Sequence, residues 1–226
     1  TKIKERCRVF IFISVGERDK KCYQKLKKAG ASGVLFRFET SNKQLFEKIH
    51  PKGKNFRKRL DHLKFFKKLG YFIATGSMIG LPGQTINDLY YDIKLMQKWA
   101  NMISMGPFIP TEETPLKNAP TDEKSKKWKI EMNLKMIAIL RLLMKNARIP
   151  VVTALETLAG EKGRKAALLA GANALMLNLT PPKYRSLYKI YNNKFYNEYE
   201  KWEHYGLFKF EESYKMLEGR MQKELK

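Results

Sequence analysis

Charged side chains stand where two apolar segments of the chain end. Glu17 and Arg18 follow the segment SVG, and Arg37 and Glu39 lie at the end of GVLFRFE. Neighbouring strands of a sheet lie about 5 Å apart, so side chains that follow two successive strands can meet. An arginine fork suits a carboxylate, and a glutamate suits an amine or ribose hydroxyls. These residues predict a ligand site, or else they pair with one another and close the rim.

Three further segments place polar residues at predicted turns. In residues 76–85, GSMIGLPGQT, glycine and proline shape a turn, and Thr85 with Asp88 predicts a capping box for the next helix. Prolines keep the loop at residues 106–116 extended. Thr153 and Thr157 in TALET either hold a carboxylate or satisfy the backbone of a turn. Each segment has a structural explanation, so none of them alone assigns a function.

The C-terminal quarter contains a run of aromatic residues. Met176 is followed at helical spacing by Tyr184, Tyr188 and Tyr191, a pattern that forms either core or a cofactor pocket. The histidines are scattered, and the sequence has no Ser-His-Asp, HExxH or P-loop pattern. The two cysteines have no neighbours at metal-binding spacing, so the sequence predicts reduced thiols.

Positioning these residues requires strands that alternate with helices. Short β-branched or aromatic runs predict strands over residues 8–14, 33–38, 71–78, 102–108, 149–154 and 173–178. Helix-period segments predict helices over residues 19–30, 56–70, 85–101, 123–147 and 163–172. Such alternation indicates an α/β fold whose parallel strands are joined by right-handed crossovers.

Two architectures fit this alternation, a doubly wound open sheet and part of a (β/α)8 barrel. The open sheet requires a glycine-rich loop after its first strand, where SVGERD has a single glycine. Each of the six predicted strands is instead followed by polar residues or glycine, as strands are at the catalytic face of a barrel. We therefore expect a partial (β/α)8 TIM-type barrel of six βα units over residues 1–195. A helical or flexible extension is expected over residues 196–226. The two βα units that an eight-unit barrel would still need are expected on the N-terminal side.

The chain has 226 residues and a formal net charge of +23. No apolar run reaches the roughly 20 residues of a membrane span, and no signal peptide is evident, so we expect the cytoplasm or another reducing intracellular compartment, such as an organelle. The lysines are spread over the predicted helices, which favours solvated faces over nucleic-acid or membrane binding.

Six motifs together resemble, in order and spacing, the radical S-adenosylmethionine enzymes of the HydE type, which mature [FeFe]-hydrogenases. The resemblance covers roughly residues 8–195, and biotin synthase and methylornithine synthase are relatives of that type. The motifs are SVGERD, AGASGVLFRFETSN, GSMIGLPGQTINDL, MGPFIPTEETPLKN, IPVVTALET and GANALMLNLTPPKYRSLYKIY.

The resemblance implies a (β/α)8 barrel and an activity. S-adenosylmethionine would be cleaved reductively at a [4Fe-4S] cluster to give a 5′-deoxyadenosyl radical that attacks a small-molecule substrate during hydrogenase cofactor assembly. Implied partners are an electron donor such as ferredoxin or flavodoxin, and other hydrogenase maturases. Membrane binding and nucleic-acid binding are not implied.

The resemblance also implies roles for residues. Glu17 and Arg37 match positions that hold the amino acid moiety and ribose of S-adenosylmethionine, and Glu39 supports them. Met176 and Tyr188 match positions near the adenosine. Thr153 and Ala154, with Tyr191, match a substrate site in the cavity.

The chain departs from the family pattern at several positions. The CxxxCxxC motif that binds the cluster is absent from the 226 residues. The family has His at Thr111, Thr at Val152, Pro at Leu177 and Pro-Gly at residues 192–193. We therefore expect a fragment that is inactive without its cluster ligands. Alternatives are an enzyme of the methylornithine synthase or biotin synthase type, and a non-catalytic basic barrel that binds RNA or membrane.

Overall fold

The computed structural model describes residues 2–112 and 114–176, together with residues 184 and 187. The predictions for Tyr188, Tyr191, Leu177, residues 192–193 and the extension at residues 196–226 lie outside the described residues.

Seven helices lie in the part of the chain that the structure describes. They are α1 (Lys2–Arg6), α2 (Lys20–Lys28), α3 (Lys43–Ile49), α4 (Phe56–Lys68), α5 (Ile86–Trp99), α6 (Glu123–Leu143) and α7 (Thr153–Leu169). Five of them begin at a side chain that accepts a hydrogen bond from a backbone N–H of the first turn, as N-caps do. These caps are Asp19, Asn42, Asn55, Thr85 and Asp122. The predicted helices overlap α2 and α4–α7, whereas α1 and α3 were not predicted.

The strands are short, and each overlaps a strand predicted from the sequence. They are β1 (Phe12–Ile13), β2 (Gly33–Leu35), β3 (Phe72–Thr75), β4 (Met78–Ile79), β5 (Met102–Ile103), β6 (Gly106–Pro107), β7 (Pro150–Val151) and β8 (Ala174–Leu175).

Every strand pair is parallel, which confirms the predicted α/β fold with parallel sheets. One sheet has the order β1-β2-β3-β5, and β4-β6 and β7-β8 form two-stranded sheets. A parallel bridge between Met102 and Arg148 links the start of β5 to the residues before β7. Neighbours follow the order of the chain, without the reversal that a doubly wound sheet has at its switch point.

The main core lies between the strands and the helices. Ile73 of β3 and Ile79 of β4 belong to this core together with Leu63, Phe66 and Met96 of the helices, all of them buried. A smaller cluster joins Leu45 of α3 to Leu81 and Phe108, which follow β4 and β6. The helices bury their apolar faces on the sheets, and the charged residues Glu17, Arg37 and Glu39 follow β1 and β2.

The prediction of a strand through Thr153 and Ala154 is wrong. Strand β7 ends at Val151, and Val152 is the extended N-cap of α7. The carbonyl of Val152 accepts hydrogen bonds from the N–H groups of Leu155 and Glu156, at 3.0 and 3.4 Å. Helix α7 therefore begins well before the predicted residue 163, and Gly160 interrupts it with a non-helical φ of 61°.

Candidate functional site

Glu17 follows β1 and is paired with two cations. Its Oε2 lies 3.5 Å from Nζ of Lys54 and 3.6 Å from Nη2 of Arg59. The Arg59 guanidinium lies over the rings of Phe36 and Phe46, at 4.5 and 5.4 Å from their centroids. Stacking on two rings fixes the guanidinium, since cations are attracted to aromatic faces. Arg59 therefore holds Glu17 in place beside the end of β2.

Arg37 and Glu39 follow β2 and contact each other. Nη2 of Arg37 lies 3.2 Å from Oε2 of Glu39 and donates a hydrogen bond of 2.7 Å to the carbonyl of Ser77. Glu39 has a positive φ of 67°, a conformation that is costly for a residue with a β-carbon. The backbone holds it there, because its N–H donates to Gly76 and its carbonyl accepts from Met78, at 3.1 and 2.8 Å.

One of the two alternatives for these charges, pairing with one another, is realised in part. Arg37 pairs with Glu39 as a closed rim requires, but Glu17 pairs with Lys54 and Arg59 instead. Three buried polar atoms in this cluster have no hydrogen-bond partner among the residues that the structure describes. They are Nε of Arg37, Nε of Arg59 and Oε2 of Glu39, which has only its ion pair. The site therefore keeps donors and an acceptor for a charged, polar ligand.

His50 lies next to this cluster. Its ring stacks on Phe46 with centroids 3.9 Å apart, and its Nδ1–H donates to the Phe46 carbonyl at 2.7 Å. Burial lowers the pKa of His50, as does the Arg59 cation, while the backbone hydrogen bond and the carboxylates of Glu39 and Glu17 oppose the shift. The net lowering means that the His50 imidazole is neutral at pH 7, so it adds no cation to the site.

The segment from Gly76 to Thr85 holds the ends of the third and fourth predicted strands together. A β-carbon on Gly76 would lie 2.2 Å from the carbonyl oxygen of Ser104, so only glycine permits this strand approach. Gln84 accepts hydrogen bonds from the N–H of Gly80 at 2.8 Å and donates to the carbonyl of Met78 at 2.9 Å. The loop is therefore clamped by one amide side chain.

The capping box predicted at Thr85 and Asp88 is confirmed. Oγ1 of Thr85 accepts the N–H of Asp88 at 3.1 Å, and Oδ2 of Asp88 accepts the N–H of Thr85 at 2.7 Å. Asp88 also accepts a hydrogen bond from the Asn42 amide at 3.0 Å. One turn later, buried Asp92 accepts the N–H of Ser41 at 2.6 Å. The start of α5 therefore anchors the loop that follows Glu39.

The start of α7 packs against the end of the fourth predicted strand, where β6 lies. A β-carbon on Gly106 would lie 2.6 Å from Cγ2 of Val152 and 3.7 Å from Cβ of Ala154. The Thr157 hydroxyl donates to the carbonyl of Thr153 at 2.9 Å, a backbone hydrogen bond within the helix. Met176 directly follows β8 and is 39% exposed.

Sequence reasoning missed the buried cations of the site. Arg59 shares the buried face of α4 with Leu63 and Phe66, at i, i+4 and i+7. Lys129 shares the buried face of α6 with Asn133, and is 5% exposed. A cation at an apolar position of a helix is therefore the signal that could have found both residues.

The structure also bears on metal sites and membrane spans. Among the described residues, no group of three or more His, Cys, Asp or Glu side chains could hold a metal ion. Cys7 and Cys22 are free thiols. No helix within the described ranges is both long and apolar enough to span a membrane.

The solved structure of the [FeFe]-hydrogenase maturase HydG from Carboxydothermus hydrogenoformans has a similar fold. The TM-score is 0.62 at 19% identity, and the match covers 74% of this chain and 39% of HydG. No protein-family model matches the chain. Sequence comparison gives the class: the chain is a homologue of the radical S-adenosylmethionine enzymes, as its motifs predicted.

Within that class, the chain is 42% identical over 187 residues to the [FeFe] hydrogenase maturase subunit HydE of Thermotoga maritima. The predicted resemblance to HydE is therefore confirmed. The match covers 82% of the chain and 51% of that HydE. The 3-methylornithine synthase of Methanosarcina acetivorans is 32% identical over 76% of the chain and 46% of the relative. Biotin synthase of Endomicrobium trichonymphae is 28% identical over 62% of the chain and 41% of the relative. The chain spans about half the length of these relatives.

Proposed function

We propose that the chain is the barrel portion of a HydE-like radical S-adenosylmethionine enzyme that serves [FeFe]-hydrogenase cofactor maturation. The observation that carries this proposal is the cluster of Glu17, Arg37 and Glu39 after the neighbouring parallel strands β1 and β2. The 42% identity to a HydE over 187 residues supports it, as does the resemblance of the motifs that contain these charged residues to that type of enzyme.

S-adenosylmethionine fits the chemistry of this cluster. Its methionine end carries an ammonium and a carboxylate, and its ribose carries hydroxyls, so it needs carboxylate acceptors and cationic donors together. Arg37 and Arg59 each have a buried Nε–H without a hydrogen-bond partner, and Glu39 has a buried oxygen that lacks one. In our proposal, Glu17 and Glu39 bind the ammonium and ribose, and Arg37 binds the carboxylate.

When bound, S-adenosylmethionine and a reduced [4Fe-4S] cluster would supply a 5′-deoxyadenosyl radical. The cluster does not fit this chain, which has two cysteines where a cluster with one open iron needs three thiolate ligands. Its ligands are therefore assigned to sequence outside the 226 residues. The proposed role of this chain is to orient the cofactor and a small-molecule substrate above the strands.

The parallel strands in chain order support a partial (β/α)8 barrel rather than an open sheet. In that architecture the residues after β1, β2, β7 and β8 share one face. Thr153 and Ala154 would line the substrate side of that face, with Met176, Tyr188 and Tyr191 toward the adenosine and the cavity. An electron donor such as ferredoxin or flavodoxin and other maturases remain proposed partners.

The proposal is tested first on the gene and then on the protein. The reading frame upstream of Thr1 is expected to encode a CxxxCxxC motif, and a continuous frame without one would overturn the proposal. The protein with that segment should form 5′-deoxyadenosine from S-adenosylmethionine under reducing conditions. Glu17→Gln and Arg37→Met should each weaken S-adenosylmethionine binding by about tenfold or more. Glu47→Gln, an exposed carboxylate on α3, is the matched control and should change little.

The similarity to 3-methylornithine synthase favours a second candidate, an enzyme of the methylornithine synthase type. Both candidates share the cofactor and differ in the product. Product analysis with the intact protein separates them: release of a methylornithine-type amino acid supports the second candidate, whereas restoration of hydrogenase maturation supports the first.

A further inference from the structure

Helices α2 and α4 lie side by side and form a strongly positive surface. The rings of Tyr23 and Phe66 join them with centroids 4.5 Å apart. Helix α2 has five lysines and no acidic residue. Helix α4 has six lysines and arginines and a single carboxylate, Asp61, which is paired with Lys64 at 3.5 Å. The outer surface of this helix pair is therefore almost free of negative charge.

Several of these lysines are held on aromatic rings that belong to a neighbouring element. The Lys20 ammonium reaches from α2 to the ring of Phe65 on α4, at 5.5 Å, and Lys67 reaches from α4 to Trp99 at the end of α5, at 5.8 Å. Lys98 lies over the same Trp99 ring at 5.4 Å. We name this surface the basic ridge and define it by Lys20, Lys27, Lys67 and Lys98 with the rings of Phe65, Tyr71 and Trp99.

Contacts with rings reduce the freedom of long lysine side chains. Lys27 shows this most clearly, because its Nζ lies 4.7 Å from the Tyr71 ring centroid and donates to the Gly70 carbonyl at 2.7 Å. A partner that binds such cations loses less side-chain entropy than one that binds freely moving lysines. The basic ridge is therefore a preorganised array of positive charges, and not only a solvated face.

We infer that the basic ridge is the docking surface for an acidic protein. Nucleic acid is a poorer match, since its recognition uses arginine forks and open ring faces, whereas the ridge presents ammonium groups that cover the rings. A membrane is also a poorer match, because membrane-surface helices insert large apolar side chains. Among the described residues, none of the exposed large apolar side chains lies on α2 or α4, and exposed Phe10 lies at the edge of the ridge beside Lys27 and Tyr71.

The chemistry of the ridge also indicates the kind of complex. A charged surface without an apolar centre gives fast, weak, electrostatically steered association, as in encounters between electron-transfer proteins. The identification of the partner as an electron donor rests on the function proposed above. In that case the acidic partner would be a reduced one-electron carrier that supplies the full-length enzyme.

The test measures binding of an acidic [2Fe-2S] ferredoxin to the chain by calorimetry at low and physiological salt. The triple variant Lys20→Glu, Lys67→Glu and Lys98→Glu removes ridge charges. The matched control is Lys124→Glu, Lys127→Glu and Lys135→Glu, three exposed lysines of α6 that give the same change in net charge. We expect the ridge variant to bind at least about tenfold more weakly than the native chain, and the control less than about threefold.

Equal losses in both variants would overturn the inference, because long-range charge alone would then explain binding. It is also overturned if duplex RNA or anionic phosphatidylserine vesicles bind more tightly than ferredoxin and are more sensitive to the ridge variant. Far-UV circular dichroism and thermal unfolding must show that both variants are folded. Binding of ferredoxin to the ridge does not require the cluster. If the ridge binds ferredoxin but the intact protein does not cleave S-adenosylmethionine, the proposed function is contradicted and the docking surface is still supported.

Discussion

The side chain of Lys129 lies directly against the backbone of Gly80. A β-carbon on Gly80 would lie 2.7 Å from Cγ and 2.8 Å from Cε of Lys129. The ammonium group donates to the carbonyl of Pro120 at 3.3 Å and lies 5.5 Å from the Phe108 ring centroid. A buried lysine of α6 therefore joins the loops that follow two neighbouring strands of the candidate site.

Gly80→Ala should destabilise the protein through two effects. Gly80 has a φ of +86°, which costs about 1–2 kcal/mol for alanine, and the new methyl group would overlap Lys129 at a further cost of about 1–3 kcal/mol. Gly83→Ala is the control, since Gly83 has a φ of +83° and no atom within 4 Å of an added β-carbon. The free energy of unfolding in urea should fall clearly more for Gly80→Ala than for Gly83→Ala. Equal losses would contradict the contact with Lys129.

Much of the fold was predictable because its signals are local. The capping box at Thr85 and Asp88 needs only residues three apart, and the alternation of strands and helices follows from short-range periodicity. Helix α7 was predicted to begin too late, because Thr153 and Ala154 look like a continuation of the β-branched run before them. Their helical conformation is consistent with Val152 acting as the N-cap, which is decided by backbone geometry rather than by residue type.

The candidate site was predictable in part. Pairing among Glu17, Arg37 and Glu39 was one of the two alternatives drawn from the sequence, and Arg37 does pair with Glu39. Glu17 pairs with Lys54 and Arg59 instead. Arg59 and Lys129 were not predicted. Helical periodicity places both cations on the apolar faces of α4 and α6, but it does not show which aromatic rings from distant segments lie against them, because tertiary packing decides that.

Glu39→Asn should separate stability from ligand binding. Asparagine tolerates a positive φ better than glutamate, so the change relieves strain of about 1 kcal/mol while the ion pair with Arg37 is lost. We expect an unfolding free energy that is unchanged or higher by up to about 1 kcal/mol, together with weaker S-adenosylmethionine binding in the intact enzyme. Denaturant unfolding and calorimetry measure the two quantities. A loss of stability above about 1 kcal/mol would show that strain at Glu39 is not significant.

Asp92 should make stability depend on pH between about pH 4 and pH 6. Burial raises the pKa of Asp92 to about 6, against the hydrogen bonds from Ser41, while neighbouring Asp88 adds to the increase. The folded state therefore binds a proton that the unfolded state has already lost in this range, and stability falls as the pH rises.

The comparison with Asp92→Asn isolates this effect. Relative to that variant, the native chain should lose about 2–3 kcal/mol of unfolding free energy from pH 4 to pH 7. Urea unfolding at a series of pH values measures the difference, in which the titrating groups that do not interact with Asp92 cancel. The raised pKa of Asp92 would be contradicted if the difference in unfolding free energy between the native chain and Asp92→Asn did not change with pH. It would also be contradicted if the native chain became more stable relative to the variant as the pH rose.

The two cations that flank Glu17 should contribute unequally. Arg59 is 13% exposed and is held between the rings of Phe36 and Phe46, whereas Lys54 is 39% exposed. Solvent screens the more exposed pair and side-chain motion weakens it, so we expect a coupling energy of about 1 kcal/mol for Glu17 with Arg59 and about 0.3 kcal/mol or less with Lys54.

Double-mutant cycles measure both coupling energies. One cycle combines Glu17→Gln with Arg59→Met, and the matched cycle combines Glu17→Gln with Lys54→Met, each followed by urea unfolding. Raising the salt concentration should abolish the coupling to Lys54 and leave most of the coupling to Arg59, because stacking excludes counterions from the guanidinium. If both couplings are equal and vanish together with salt, the rings do not hold Arg59, and Arg59 has no part in positioning Glu17 for a ligand.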